Sequence, residues 1–187
     1  LSSNSTAVEA NRPVTLTAFT SNGFTVDIDY DVNRGSELYV AWNWKANGSG
    51  SSNTDGNITS TVSVNQDAGI SIITYTGTGA NATVGHGLGV APKLIIAKTR
   101  TNAVNWIVYH GSLIAYDFIR LNTADAVANN SVVWNTAPTS TVFGVGSANG
   151  VNQSSDNYIA YCFAEVEGFS SFGSYTGNGN ADGPFIY

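Results

Sequence analysis

The sequence is short of charge. Only 11% of its 187 residues are Asp, Glu, Lys or Arg, less than half the roughly 25% of an average globular domain. Cations are scarcest: seven Lys and Arg stand against thirteen Asp and Glu, a formal charge of −6. Affinity for phosphate is built from Lys and Arg, so no nucleic-acid partner is expected. The single cysteine, Cys162, can form neither an internal disulfide nor a Cys-based zinc site. Inside the run Tyr158-Ile159-Ala160-Tyr161-Cys162-Phe163 it reads as a small buried hydrophobe. Methionine is absent, and the opening Leu1-Ser2-Ser3-Asn4-Ser5 lacks the charged and apolar regions of a secretory signal. The expectation is a segment processed or excised from something longer. No apolar run approaches ~20 residues, so no membrane span is expected. Helical periodicity is missing too, apart from one short turn expected within 122–130.

Aromatic residues, by contrast, are plentiful. Four Trp, nine Tyr and eight Phe within a 42% hydrophobic chain can fill a core and argue against disorder. Polarity comes from Asn, Ser, Thr and 20 Gly, residues suited to turns rather than helix interiors. Short runs of Val, Ile, Thr and aromatics predict strands at 14–20, 37–45, 57–64, 70–76, 93–99, 104–110, 116–121, 140–145 and 157–165. Many short strands with Gly-rich turns predict an all-β, jelly-roll-like sandwich.

An internal repeat organises these strands. Shifted by 119 residues, Thr17–Trp44 falls on Thr136–Phe163 with 11 identities in 28 positions. The identities include Phe24 with Phe143, Val32-Asn33 with Val151-Asn152, Ser36 with Ser155, and Tyr39 with Tyr158. A second register, offset by 100, relates Tyr75-Thr76-Gly77-Thr78-Gly79 to Tyr175-Thr176-Gly177-Asn178-Gly179. The 19-residue difference places an insert at about 46–67 of the first copy. The expected organisation is about 1.7 repeats of a unit of some 100–119 residues. Residues 1–68 form the back half of one unit, 69–168 a complete unit, and 169–187 the opening of the next.

Chemistry-bearing motifs are sparse. Gly85-His86-Gly87-Leu88-Gly89 precedes a strand rather than opening a helix, so it is a tight connection and not a dinucleotide fingerprint. His86 and His110 sit in no metal-ligand spacing. Asp27, Asp29 and Asp31 alternate like a calcium loop, but Val32 stands where Gly is needed and Leu38 where Glu is needed. They read first as a solvent-facing edge that discourages strand pairing, with calcium as the alternative and no other cofactor expected. No Gly-x-Ser-x-Gly elbow is present and the few carboxylates form no recognisable pair, so no catalytic residues are assigned. Trp106 and Trp134 are candidates for stacking on a sugar ring. Lys93, Lys98 and Arg100 lie in a stretch, 68–116, without Asp or Glu, a locally basic face suited to an anionic glycan.

Several phrases together resemble a known family. Tyr75–Gly79, Gly85–Gly89 with Pro92 and Leu94-Ile95-Ile96, Asn105-Trp106 with Tyr109-His110, and Tyr158–Glu165 with Gly173–Gly177 are similar to a repeated β domain of unknown function in marine bacteriophage tail-fibre-like and virion structural proteins. The resemblance covers nearly the whole chain. It implies a virion-surface or tail-associated protein, at the virion surface or extracellular. With the tandem β units, the Gly/Asn/Ser/Thr-rich loops and the few charges, the expectation is a structural, adhesive component of a virion appendage in contact with host surface glycans. The resemblance carries over no functional residue. A depolymerase-like carbohydrate-active enzyme and a free-standing carbohydrate-binding module are the alternatives.

The repeat also implies exposed edges. Matched positions should be buried alike: Phe24, Val26, Tyr39, Ala41 and Trp42 or Trp44, and Phe143, Val145, Tyr158, Ala160 and Tyr161 or Phe163. The tail aromatics Phe169, Phe172, Tyr175, Phe185 and Tyr187, with Ile186, need a place to pack. Either the tail folds back on its own chain or it enters the incomplete unit of a neighbour. A homo-oligomer is expected, as a trimeric fibre or a head-to-tail filament.

Overall fold

The computed structural model describes residues 1–184; the tail residues Phe185, Ile186 and Tyr187 lie outside the described residues. The chain divides into two compact units, Glu9–Trp44 and Leu1–Val8 with Lys45–Tyr187. The smaller unit opens with an antiparallel hairpin of β1 (Leu16–Thr20) and β2 (Gly23–Val26). One helical turn follows, α1 (Tyr30–Asn33). Its start is fixed by Asp29, whose carboxylate accepts the Asp31 N–H at 2.9 Å, a standard N-cap bond.

The larger unit carries ten strands: β3 (Ser51–Asn53), β4 (Ser60–Asn65), β5 (Ile70–Thr76), β6 (Ala82–Gly85), β7 (Leu94–Thr99), β8 (Ile107–His110), β9 (Asp117–Arg120), β10 (Ala128–Asn129), β11 (Val142–Val145) and β12 (Asn157–Phe163). Eight form one sheet in the order β10-β9-β8-β7-β12-β5-β4-β3, and β11 pairs with β6 separately. Every ladder is antiparallel. β12 is the central strand, paired with β5 on one edge and β7 on the other. Alternation decides its faces. Tyr158, Ala160 and Cys162 enter the core, and Ile159, Tyr161 and Phe163 are half-buried opposite. The inward row packs with Ile73, Tyr75, Ile95 and Ala97 against Val84, Phe143, Val145 and Trp134. The result is the all-β sandwich that the strand spacing predicts.

The structure departs from the sequence expectations at definite places. Residues 37–45, expected as a strand, form none, and the helical turn expected in 122–130 lies instead at α1, where a capping Asp is available. Residues 45–68, expected with the first unit, supply β3 and β4 to the large sheet. Strands β2, β3 and β6 were not legible because they are only three or four residues long and rich in Gly, Ser and Thr. The matched-burial expectation holds in one copy alone, and there without Tyr161 and Phe163, which are half-buried. Phe143, Val145, Tyr158 and Ala160 are buried, whereas Phe24, Tyr39, Ala41, Trp42 and Trp44 are exposed and Val26 is half-buried. The reason is direct: β12 has a strand on each edge, while 38–43 belongs to no sheet. Among the described residues the tail strand expected after residue 169 is likewise not formed, and Tyr175 is 69% exposed.

Two buried bases sit within this fold. Lys98 donates its ammonium to Thr99 O at 2.8 Å and Asn102 O at 3.1 Å, and burial lowers its pKa. His86 accepts the Leu88 N–H at Nδ1 (3.1 Å) and faces Thr139 O with Nε2 (3.2 Å). That bonding requires a neutral ring with its proton on Nε2. Burial lowers the His86 pKa, against the smaller opposing effects of Thr139 O and the Asp55 charge. A base with a depressed folded pKa binds fewer protons folded than unfolded, so stability is lost as pH falls below the unfolded value of about 6.5. Urea unfolding between pH 7.5 and 5 is expected to show this loss. The loss should shrink in His86→Gln, and an unchanged slope would contradict the assignment.

Candidate functional site

The most strongly built feature is a frame around one tyrosine. Tyr158 Oη donates to Asn149 O at 2.7 Å and accepts the Gln153 N–H at 2.8 Å, tying down the loop before β12. Burial raises the Tyr158 pKa to about 12, so the hydroxyl keeps its proton. Within that loop the Val151 and Asn152 amides both donate to Ala148 O, at 3.1 and 2.8 Å, and the Asp156 amide to Gln153 O at 3.2 Å. Ser155 takes φ 68°, a left-handed conformation that a non-glycine residue adopts only when its surroundings hold it there.

The same frame recurs 119 residues earlier. Tyr39 Oη donates to Tyr30 O and accepts the Arg34 N–H, each at 2.8 Å. The Val32 and Asn33 amides donate to Asp29 O at 3.1 and 2.8 Å, and the Glu37 amide to Arg34 O at 3.2 Å. Ser36 takes φ 67°. Every partner is displaced by the sequence offset. The repeat therefore extends from residue identities to hydrogen bonds and backbone angles.

In the larger unit this frame grips β5 and the turn after it. Tyr75 stacks on Tyr158 with ring centroids 5.2 Å apart, and its hydroxyl donates to Val151 O at 2.6 Å. Gly77 exchanges backbone bonds across the frame, donating to Asp156 O (2.8 Å) and accepting from the Ser155 amide (2.9 Å). Asn152 is fully buried. Its Oδ1 accepts the Thr78 N–H at 2.7 Å, its Nδ2 donates to Ala80 O at 2.6 Å, and its carbonyl accepts the Gly79 N–H at 2.9 Å. A Cβ on Gly77 would stand 2.2 Å from Gln153 O, so only glycine fits there. In the smaller unit the corresponding Tyr39 and Asn33 are exposed.

The residues singled out for ligand binding are dispersed. Trp106 is buried, stacks on Tyr161 at 6.5 Å, and donates Nε1–H to Ser2 O and Ser5 O at 3.0 and 3.2 Å. It anchors the first residues to the larger unit and presents no face to a sugar. Trp134 is 2% exposed and packs edge-on against Tyr109 and Phe143. Lys98 is buried, Lys93 is exposed, and Arg100 is half-buried. Arg100 lines a shallow groove with Ser52, Thr61, Thr74, Thr76 and Asn157. The three Asp residues do not converge. Asp27 accepts its neighbouring Ile28 amide, while Arg12 lies between Asp29 (2.8 Å) and Asp31 (2.5 Å). Among the described residues no three His, Cys, Asp or Glu side chains are grouped to hold a metal ion. Burial explains the misplaced tryptophans: an amphipathic ring in a short chain serves a core as well as a sugar platform.

Tyr158→Phe should separate the frame from simple packing. The ring stays, but the Gln153 amide and Asn149 carbonyl lose their buried partner. A loss of about 1–3 kcal/mol in unfolding free energy is expected from denaturant melts. A change within the error of the melts would show that the hydroxyl does not hold the loop.

No curated protein and no solved structure matches the chain. One family does, over residues 1–187. The chain belongs to the family described as Domain of unknown function (DUF7483).

Proposed function

We propose that this chain is a structural and adhesive building block of an extended virion appendage, such as a phage tail fibre. It would work as a homo-oligomer at the virion surface. The observation that carries the reading is the recurrence of one hydrogen-bonded frame at a 119-residue spacing. Tandem copies of a β unit suit a long, load-bearing object, because each copy needs only its neighbours to complete its core. The sequence resemblance to virion proteins points the same way.

The adhesive part of the reading rests on the Arg100 groove. Its lining of Ser, Thr and Asn residues around Tyr75 and Tyr158, with the Arg100 guanidinium at the groove, offers hydroxyl-matched hydrogen bonds beside a positive charge, a chemistry suited to an acidic glycan. Most of its lining lies on strands β3, β4, β5 and β12, with Arg100 directly after β7, rather than on long loops, which favours a preorganised site.

Antibody raised against the chain is expected to label an appendage of the intact particle in electron micrographs. Label confined to infected-cell cytoplasm would contradict the structural role. Retention of the purified chain on host cells is expected to fall at least tenfold in Arg100→Ala. Equal retention of the two proteins, or sustained cleavage of host capsule by the chain, would overturn the adhesive reading.

A further inference from the structure

In the smaller unit the frame residues Tyr39 and Asn33 are exposed, and the tail repeats, at Tyr175–Gly179, the sequence Tyr75–Gly79 that the frame of the larger unit holds. We propose that Gly173–Gly179 of one copy adds as a strand and turn to the Asn33–Ala41 frame of a second copy, head to tail. The inference rests on the assembly half of the function proposed above and is independent of its virion half.

The register follows from the two sequence offsets. In the larger unit β12 pairs with β5 through Asn157↔Thr76, Tyr158↔Tyr75, Ile159↔Thr74 and Ala160↔Ile73. Subtracting 119 from the first partner and adding 100 to the second gives Leu38↔Thr176, Tyr39↔Tyr175, Val40↔Ser174 and Ala41↔Gly173. Tyr175 would stack on Tyr39 and donate to Val32 O, as Tyr75 stacks on Tyr158 and donates to Val151 O. Asn33 would hold the Gly177–Gly179 turn through the bonds that Asn152 makes to residues 78–80.

Both sides are shaped for this. The receiving segment is apolar and open: Leu38 is 99% exposed and Val40 79%. Its frame already holds the backbone angles and loop bonds seen in the occupied copy. The incoming turn is preset as well, with Gly179 at φ 69° against 76° for Gly79. Strand addition of this kind takes affinity from main-chain bonds and specificity from alternate side-chain pockets. The preformed receptor reduces the ordering cost. The local bonds from Ser171 and Phe172 to Glu165, and those exchanged between Val166 and Ser170, fall before Gly173 and need not break. Donor and receptor are different segments of the chain, so the contact is head to tail: repeated from copy to copy it propagates as a filament, and exchanged reciprocally between two copies it closes as a dimer.

Gly177 makes the sharpest test. A Cβ there meets nothing within 4 Å in the free chain, whereas at its counterpart Gly77 it meets a carbonyl oxygen at 2.2 Å. Gly177→Ala is therefore expected to melt like the parent chain yet remain monomeric at concentrations where the parent's mass in solution rises. Asn33→Ala should weaken association at least tenfold. Cysteine pairs fix the register: mixing a Val40→Cys chain with a Ser174→Cys chain should give a disulfide-linked dimer, and Val40→Cys with Gly173→Cys should not. A parent chain that stays monomeric would overturn this inference and the oligomeric reading together. Association that ignores Gly177→Ala, or cross-links without register preference, would overturn the inference alone. So would a Val40→Cys/Ser174→Cys double variant that closes within one chain.

Discussion

A central β-strand exposes backbone donors and acceptors on both edges, and it is stable only when both are paired. β12 meets that requirement through β5 and β7. The Tyr158 hydroxyl sets where the strand begins by bonding the loop before it at two points, Asn149 and Gln153. Much of the larger unit depends on this arrangement. Tyr75 stacks on the same ring, Phe143 packs edge-on to Tyr75, and Trp134 packs edge-on to Phe143. The core is thus a chain of aromatic contacts beginning at one strand entry.

The smaller unit repeats the strand entry without the strand's surroundings. Its loop bonds match those of the larger unit residue for residue, so this local structure is set by its own sequence and not by the sheet it faces. The Asp29 cap and the Arg12 pairs with Asp29 and Asp31 brace the turn independently. Exposed ion pairs contribute little to stability, and their role here is geometric. They hold a loop whose matched copy is held instead by burial of Val151 and Asn152.

Much of this was legible in the sequence. The strand limits of β5 were read without error and those of β7, β9 and β12 within two residues, because each is dense in Ile, Thr or aromatic residues. The repeat was legible because Ser36, Tyr39, Asn33 and their partners at 119 residues' distance are the residues that make the frame. Burial was less legible. Trp106 and Trp134 carry no local mark that distinguishes a core ring from an exposed one, and their partners Ser2, Ser5, Tyr109 and Phe143 are distant in sequence or on other strands. Lys98 reads as a surface cation until the carbonyls of Thr99 and Asn102 are placed around it. The Asp27, Asp29 and Asp31 series looked like an edge because alternation alone does not reveal a cap.

The central claim is that the two frames are one recognition unit, occupied within the chain at residues 149–158 and between chains at residues 30–39. Amide hydrogen exchange of the 187-residue chain, followed residue by residue over a hundredfold range of concentration, tests it most directly. The account predicts that the amides of Gly177, Asn178 and Gly179 become protected together as concentration rises, approaching the protection of Gly77, Thr78 and Gly79. Exchange of these three amides at the same fast rate across the whole range would contradict it.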